Sequence, residues 1–452
     1  MEPIKLNDIV KACNGEFTGD SSLLDTYIKT ISTDSRDIGE DCLFIPLVGD
    51  IYDGHDYIDK AFEKGCVCAL SQRKLNRDNY IFVEDTLAAL RDIAEYYRGL
   101  FHVKVIAVTG SVGKTTAKEM LAYVLSEKYN VLKTHGNFNN EIGLPKTIFN
   151  LNKQHEIVVL EMGMNSFGEI SRLSKTARPD MCVITNIGDA HIGRLGSRDG
   201  IFRAKTEVFD YMKEGGGVFL YGDDDMLVAL NESDLNKVFF GESTYNHISV
   251  SETKSMTLDG TELTANVMGE KVDIKIPVPG RYMIPSVLCA AAVGRSMGLT
   301  GEQIKNGVSK YAPAKMRNEI IKTDKITIIN DCYNSCEDSI MAGLEILELA
   351  KGRKVAILGD ILEVGDHAQR VHYSVGKNAA QKNADLFICC GKQSMHTYVG
   401  LKDAGQNHVY YFENKDEMHK KLGEIIKTGD TVYVKASREC AFEHTVEELK
   451  KL

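Results

Sequence analysis

VTGSVGKTTAKEM, Val108 to Met120, is the stretch on which the reading of this chain turns. It carries the Gly-Lys-Thr of a phosphate-binding loop without the usual spacing, because the pattern G-x-x-x-x-G-K-[ST] asks for a glycine where Val108 stands. The nearer glycine is Gly110, so the loop reads T-G-S-V-G-K-T-T. The physical requirements are met all the same. The preceding KVIAVTG is a continuous apolar run, as in a buried parallel strand, and a helical pattern follows from about Thr115 to Lys128. Gly110 and Gly113 let the backbone N–H groups around Ser111 turn inward toward an oxyanion. The helix N-terminus adds its positive end. Lys114 can reach the outer phosphates of a nucleotide, and the hydroxyl of Thr115, followed by Thr116, can ligate Mg2+.

Working outward, apolar strands recur at EIVVLEM (Glu156 to Met162), MCVITNI (Met181 to Ile187) and GVFLYG (Gly217 to Gly222), with helical patterns between the earlier ones. Strands alternating with helices imply a parallel sheet covered on both faces, and such sheets place ligands at their strand ends. Glu161 ends one of these strands. It reads equally as a Mg2+ ligand, since Mg2+ prefers oxygen donors, or as a structural cap. His191, in TNIGDAHIGRLGS, follows the next strand end and reads as a site residue. Lys205, in the helical FRAKTEVF, is either a solvated lysine or one turned toward the metal.

The rest of the chain sets the frame. Its 452 residues imply more than one domain. A composition 43% hydrophobic and 26% charged is that of a folded protein. A net charge of -10 argues against a general nucleic-acid binder. The 11 cysteines include no C-x-x-C pair and read as buried thiols of a reducing, cytoplasmic environment. The N-terminus reads as no signal peptide, and no run approaches the ~18 apolar residues of a membrane span. Three regions separate by pattern: 1–100, with short strands and a closing helix, DTLAALRDIAEYYRGL; 101–314, around the phosphate loop; and 315–452, a second α/β sheet of dinucleotide-fold type. The expected class is therefore α/β in three domains: a small mixed N-terminal domain, a central mostly parallel sheet of phosphate-loop type, and the C-terminal sheet. No G-x-G-x-x-G occurs, so no nicotinamide site is expected.

Taken in order, TGSVGKTT, HGNFNNEIGLP, EMGMNSFGEI, NIGDAHIGRLGS and AKTE resemble the Mur ligases, ATP-dependent amide-forming enzymes of peptidoglycan assembly. STDSR, LFIPLVGDIYDGHDYI and VYVKASR extend the resemblance to both outer regions, and so to essentially the whole chain. The shortened loop is then a lineage variant. Within the family the resemblance is to members that join D-alanyl-D-alanine to UDP-N-acetylmuramoyl tripeptide. It implies UDP contacts from Ser32, Asp34, Ser35, Arg36 and the Asp53-Gly54-His55 turn. It implies ATP contacts from the loop, Asn140, Arg317 and Asp331, and substrate contacts from Tyr333, Asn334 and Lys435. It further implies two Mg2+ ions near Thr115, Glu161, His191 and a carbamylated Lys205, catalysis through Lys114, Lys205 and His191, a third domain that closes over the site, and a monomer.

The chain departs from the family pattern where His and Asn are usual but Tyr282 and Ser286 stand, at Asn330 in NDCYNSCE, and in the tail RECAFE. These changes bear on nucleotide contacts and dipeptide choice. They keep open a paralogous ligase that joins a different amino acid or dipeptide to a nucleotide-linked acid. A folylpolyglutamate synthetase is disfavoured by STDSR and DGHDY. A non-catalytic scaffold would have lost Lys114, Glu161, His191 or Lys205, and all four are present.

Overall fold

A computed structural model describes residues 1–452 except Ser233, Ala314 and Glu363. Ala314, at which the sequence reading ends the second region, thus lies outside the described residues. The chain divides into two compact units, one of 1–248 with 288–304, the other of 249–287 with 305–452.

The first unit opens with a five-stranded sheet of β1 (Glu16–Thr18), β2 (Thr30–Ser32), β3 (Cys42–Phe44), β4 (Cys68–Ser71) and β5 (Tyr80–Phe82), in the order β1-β5-β4-β3-β2. Only β1 is antiparallel to its neighbour. Helix α1 (Thr86–Gly99) starts at Asp85, whose carboxylate accepts from the N–H groups of Leu87 and Ala88. Its buried face, Ala89, Leu90, Ile93, Ala94 and Tyr97, follows the spacing seen in the sequence. This helix ties the small sheet to the rest of the unit: the Tyr97 hydroxyl donates to Leu151 O at 2.7 Å, and Arg98 Nε donates to Ala177 O at 3.0 Å. One apolar core runs from Ile4 to Phe239.

The phosphate-loop sheet comes next: β6 (Lys104–Thr109), α2 (Lys114–Leu125), β7 (Val131–Lys133), α3 (Gly143–Ile148), β8 (Ile157–Glu161), α4 (Glu169–Ala177), β9 (Met181–Ile184), α5 (Arg198–Thr206), β10 (Gly217–Tyr221) and β11 (Asn236–Phe240). The strands lie in the order β11-β10-β9-β6-β8-β7, all parallel. The order reverses around β6, so the loop after β6 occupies the position where doubly wound sheets bind ligands. Residues of β6, β8 and β9 are buried on both faces, which explains their unbroken apolar sequence. Two strands were not legible: β7, only partly buried, and β11. Helix α2 begins one residue earlier than read and stops at Leu125. The segment Leu288–Ile304, mostly from α6 (Ile284–Ser296), returns to this unit, where the Tyr129 hydroxyl donates to Met297 O at 2.7 Å and Lys128 Nζ to Gly298 O at 2.9 Å.

In the second unit the strand-like text after Gly241 ends in an antiparallel hairpin of Gly260–Val267 with Glu270–Ile276. The C-terminal sheet contains β12 (Glu319–Lys322), β13 (Thr327–Asn330), β14 (Lys354–Gly359), β15 (Leu386–Cys390), β16 (Val409–Phe412) and β17 (Thr431–Lys435), in the order β12-β13-β17-β14-β15-β16. Only β12 runs antiparallel. The expected dinucleotide-fold-like sheet is thus present.

Candidate functional site

The phosphate loop is shaped by two glycines in backbone conformations that other residues rarely adopt: Gly110 at φ 144° and Gly113, the cap of α2, at φ 83°. A Cβ on Gly110 would lie 1.9 Å from Thr185 Oγ1, so that position also lacks room. Thr185 and Asn186, after β9, clamp the loop from the side. Asn186 accepts from Val112 N (2.9 Å) through Oδ1 and donates to Val112 O (3.1 Å) through Nδ2. Thr185 Oγ1 donates to Val112 O at 2.6 Å. Ser111 N donates to Asn186 O at 3.1 Å, and Gly188 N to Ser111 Oγ at 3.0 Å. Lys114 Nζ donates to Gly110 O (2.7 Å) and Ser111 O (3.1 Å), which holds its charge over the loop.

Thr115 and Glu161 are brought together. The Thr115 hydroxyl donates to Glu161 Oε1 at 3.2 Å, and Asn139 Nδ2 donates to the same oxygen at 2.8 Å. Glu161 is 2% exposed, and its Oε2 is buried without a hydrogen-bond partner among the described residues. A threonine hydroxyl beside a buried carboxylate oxygen fits a hard divalent cation, and Mg2+ is commonly held by one or two carboxylates together with phosphate oxygens.

Three basic groups converge near the loop. Lys205 is 2% exposed on α5, and burial, reinforced by the charge of Lys114, drives its amine well below the ordinary lysine range. His191 lies at the start of a short helical turn, Ile192–Leu195, with φ 67°. Its imidazole is held below its usual range, first by desolvation and then by the charges of Lys114, Lys205 and Arg194. Thr116, half-buried, follows Thr115 in the first turn of α2. Asn140 serves here as a helix cap: its Oδ1 accepts from Gly143 N at 2.8 Å and Ile142 N at 3.2 Å. The side chain that meets Glu161 is its neighbour, Asn139.

In the N-terminal sheet Ser32 ends β2, and the other expected residues follow β2 and its parallel neighbour β3. Ser32 Oγ accepts from Asp34 N at 3.0 Å. Asp34 receives the Arg36 guanidinium at 2.8 Å, which holds its carboxyl far below the usual range. Ser35 is buried. Asp53 Oδ1 accepts from His55 N (2.9 Å) and lies 2.6 Å from His55 Nδ1. Gln72 N donates to His55 Nε2 at 3.0 Å, so the ring proton is on Nδ1, toward Asp53. Arg73 pairs with the other Asp53 oxygen. The turn closes at Gly54, where a Cβ would lie 2.6 Å from Leu47 N.

In the second unit Asp331 and Lys435 follow or end the neighbouring strands β13 and β17 and form a buried ion pair of 2.5 Å. Burial pushes the Asp331 carboxyl up against the pull of Lys435. Tyr433 OH and Asn318 N also donate to this carboxylate, each at 3.3 Å. The Arg317 guanidinium lies 4.3 Å over the ring of Tyr333, and Asn334 Oδ1 accepts from Ser335 N at 2.9 Å. Of the departures, Asn330 is engaged with Glu319 at 2.9 Å, Ser286 is buried, and Tyr282 packs, partly buried, against an apolar core cluster of the C-terminal sheet.

The sequence reading missed Thr185, Asn186, Asn139 and the wholly buried Lys118. Thr185 and Asn186 stood within the quoted TNIGDAHIG. Their signal was the need of a glycine loop for an external clamp on its free backbone groups.

A strand–loop–helix shaped for an anion, a hydroxyl–carboxylate pair and the nearby Lys114, Lys205 and His191 have the character of a phosphoryl-handling α/β protein, and comparison with known proteins places it. The Mur ligase middle domain matches residues 108–294, the Mur ligase, glutamate ligase domain residues 316–438, and the Mur ligase family, catalytic domain residues 27–111. The chain belongs to the Mur ligase family. It is 37% identical to UDP-N-acetylmuramoyl-tripeptide–D-alanyl-D-alanine ligase of Bacillus subtilis (strain 168), over 94% of this chain and 93% of that one. It is 32% identical to the ligase of the same name from Escherichia coli (strain K12), over 100% and 99% of the two chains. A crystal structure of MurF from Acinetobacter baumannii superposes with a TM-score of 0.93 at 28% identity, covering 100% of both chains. MurF of Thermotoga maritima in complex with ADP gives 0.84 at 27% identity, covering 93% of this chain and 97% of that one.

Proposed function

We propose that this chain is the ATP-dependent ligase that joins D-alanyl-D-alanine to UDP-N-acetylmuramoyl tripeptide in peptidoglycan precursor synthesis. The observation that carries the reading is the clamped loop with Lys114, the Thr115–Glu161 pair, and Lys205 and His191 within reach of the Lys114 charge. The near full-length likeness to ligases of that name supports the choice of substrates.

In this reading a substrate carboxylate oxygen attacks the γ-phosphorus of ATP. The bond to the β,γ-bridging oxygen breaks, and an acyl phosphate and ADP result. The amine of the dipeptide then attacks the acyl carbon, loses a proton and expels phosphate. Charge builds on phosphoryl oxygens in the first step, so positioned cations and N–H groups do most of the work. Lys114 and the N–H groups of Gly113 to Thr116, at the start of α2, hold the β- and γ-phosphates, while those of Ser111 and Val112 are taken up by Asn186. Thr115 and Glu161 would hold one Mg2+, and His191 with Lys205 a second. Mg2+ would neutralise phosphate charge and orient the γ-phosphate. Lys205 suits the second position as a carbamate. Its neutral amine adds to CO2, an N–C bond forms, one proton is released, and an anionic oxygen replaces a cation. Residues 1–100 are assigned to UDP recognition through Ser32 to Arg36 and Asp53 to His55, 101–314 to ATP, and 315–452 to the amino substrate and part of ATP through Arg317, Asp331, Tyr333, Asn334 and Lys435. A monomer acting in the cytoplasm completes the reading.

The test is phosphate release from ATP with UDP-N-acetylmuramoyl tripeptide, with and without D-alanyl-D-alanine, and the mass of the product. Release that needs both substrates and yields a pentapeptide is expected. Turnover with another amine, and none with this dipeptide, would replace the reading by that of the paralogous ligase, whose altered positions are Tyr282, Ser286 and Asn330.

A further inference from the structure

Lys118 lies four residues after Lys114 on α2 and is 0% exposed. A charged lysine is almost never wholly enclosed unless it is paired. Its Nζ meets groups on three different elements. It donates to Thr134 O, after β7, at 2.8 Å, pairs with Glu119 Oε1 of its own helix at 2.8 Å, and lies 3.9 Å from Glu161 Oε2 at the end of β8. Glu119 has a second cation, Lys133, on its other oxygen, so Lys118 is not needed to neutralise it. The remaining task is at Glu161. There Oε1 is engaged by Thr115 and Asn139, while Oε2 has the Lys118 charge and no hydrogen bond. Thr134 closes the arrangement: its carbonyl accepts from Lys118, and its hydroxyl accepts from the backbone N–H of Glu161 at 3.0 Å.

We infer that Lys118 is a positioning residue of the nucleotide site: by charge and by its tie to Thr134 it fixes the Glu161 carboxylate, with Oε1 toward Thr115. It joins the helix that begins at the phosphate loop to the strand end that supplies the carboxylate. This inference rests on the proposed reading of Thr115 and Glu161 as a divalent-cation position. Removing the lysine leaves Glu161 Oε2 without a cation, so that only Thr115 and Asn139, both on Oε1, still orient the carboxylate.

The test uses the full chain, with Mn2+ as the probe, titrated in the presence of ADP and followed by electron paramagnetic resonance. The variants are Lys118→Met, close in shape, and Lys118→Gln, which keeps an N–H for Thr134 and serves if the first fails to fold. The expected result is half-saturation at about tenfold higher Mn2+, the scale seen when a group behind a metal ligand is removed, with ADP binding in EDTA unchanged. A residue that only supports the fold would lower the melting temperature and leave Mn2+ binding as in the wild type, and that result overturns the inference. Tighter Mn2+ binding overturns it as well, because Lys118 would then be only a repelling charge. If the wild-type chain itself binds no Mn2+ with ADP, the reading of the site fails and the inference falls with it.

Discussion

Lys205 carries an amine into a place where its ammonium form is disfavoured, and this has opposite consequences for stability and for function. In the unfolded chain the lysine holds its proton up to about its ordinary pKa of 10.5, whereas in the folded chain it releases it well below that. Between those values unfolding takes up a proton, so stability rises with pH across the window. In CO2-free buffer Lys205→Met should therefore be more stable than the wild type at pH 7, and the difference should shrink as pH rises toward 10.5, as read by urea denaturation at several pH values. The same variant should lose turnover by about a hundredfold or more, the scale of removing a group that stabilises developing charge. Equal stability at every pH would mean that the amine is not held neutral. His191 follows the same logic on a smaller scale, since its surroundings also favour the neutral ring. At this scale the sequence was informative wherever a residue type was tied to a motif: Thr115 and Glu161 are hydrogen-bonded, and Lys114 lies over the loop. It was silent on Lys118, because a lysine inside an amphipathic helix looks like a solvated one until the fold shows which way it faces.

The phosphate loop is one element and its clamp is another, joined through Val112. Asn186→Ala removes the partner of Val112 N and one partner of Val112 O. Each unmet backbone group costs about 1–3 kcal/mol when desolvated. The loop is accessible to water, so the lower end of that range applies. A tenfold loss of ADP affinity corresponds to about 1.4 kcal/mol, and about that loss is expected by calorimetry, with little change in melting temperature. The ends of β13 and β17 carry a different device. Asp331→Leu leaves Lys435 buried and unpaired and should cost about 3–5 kcal/mol of stability. Adding Lys435→Met should recover most of it, measured by denaturant midpoints of the single and double variants. Buried parallel strands were legible because their apolar runs have no other use. Strand β7 was not, because three half-buried residues carry no period, and β11 was not, because its polar start reads as loop. Asn140 was read as a nucleotide contact on likeness alone, whereas the fold gives its side chain to the N-terminus of α3.

At the scale of the whole molecule the class was legible from alternation: strands and helices in turn, then a second such series, gave an α/β chain with a central phosphate-loop sheet. What no local pattern could reveal is that the chain leaves the first unit after Ile248 and re-enters it with Leu288–Ile304. A chain ending at Ile248 should lose the bonds that Tyr129 and Lys128 make to Met297 and Gly298. It should melt well below the full-length protein and bind ADP more weakly, as read by circular dichroism and calorimetry. A fragment with unchanged melting and affinity would show that the returning segment is dispensable.

That returning segment has a consequence for how the protein is made. A ribosome releases the phosphate loop long before it releases the residues that Tyr129 reaches, 168 positions further along the chain. The nucleotide-binding half must therefore wait, incomplete and with α2 lacking part of its cover, while the intervening residues are still being synthesised. Folding cannot proceed strictly from the first residue to the last, and for that interval the nascent chain presents apolar surface that chaperones and proteases can reach.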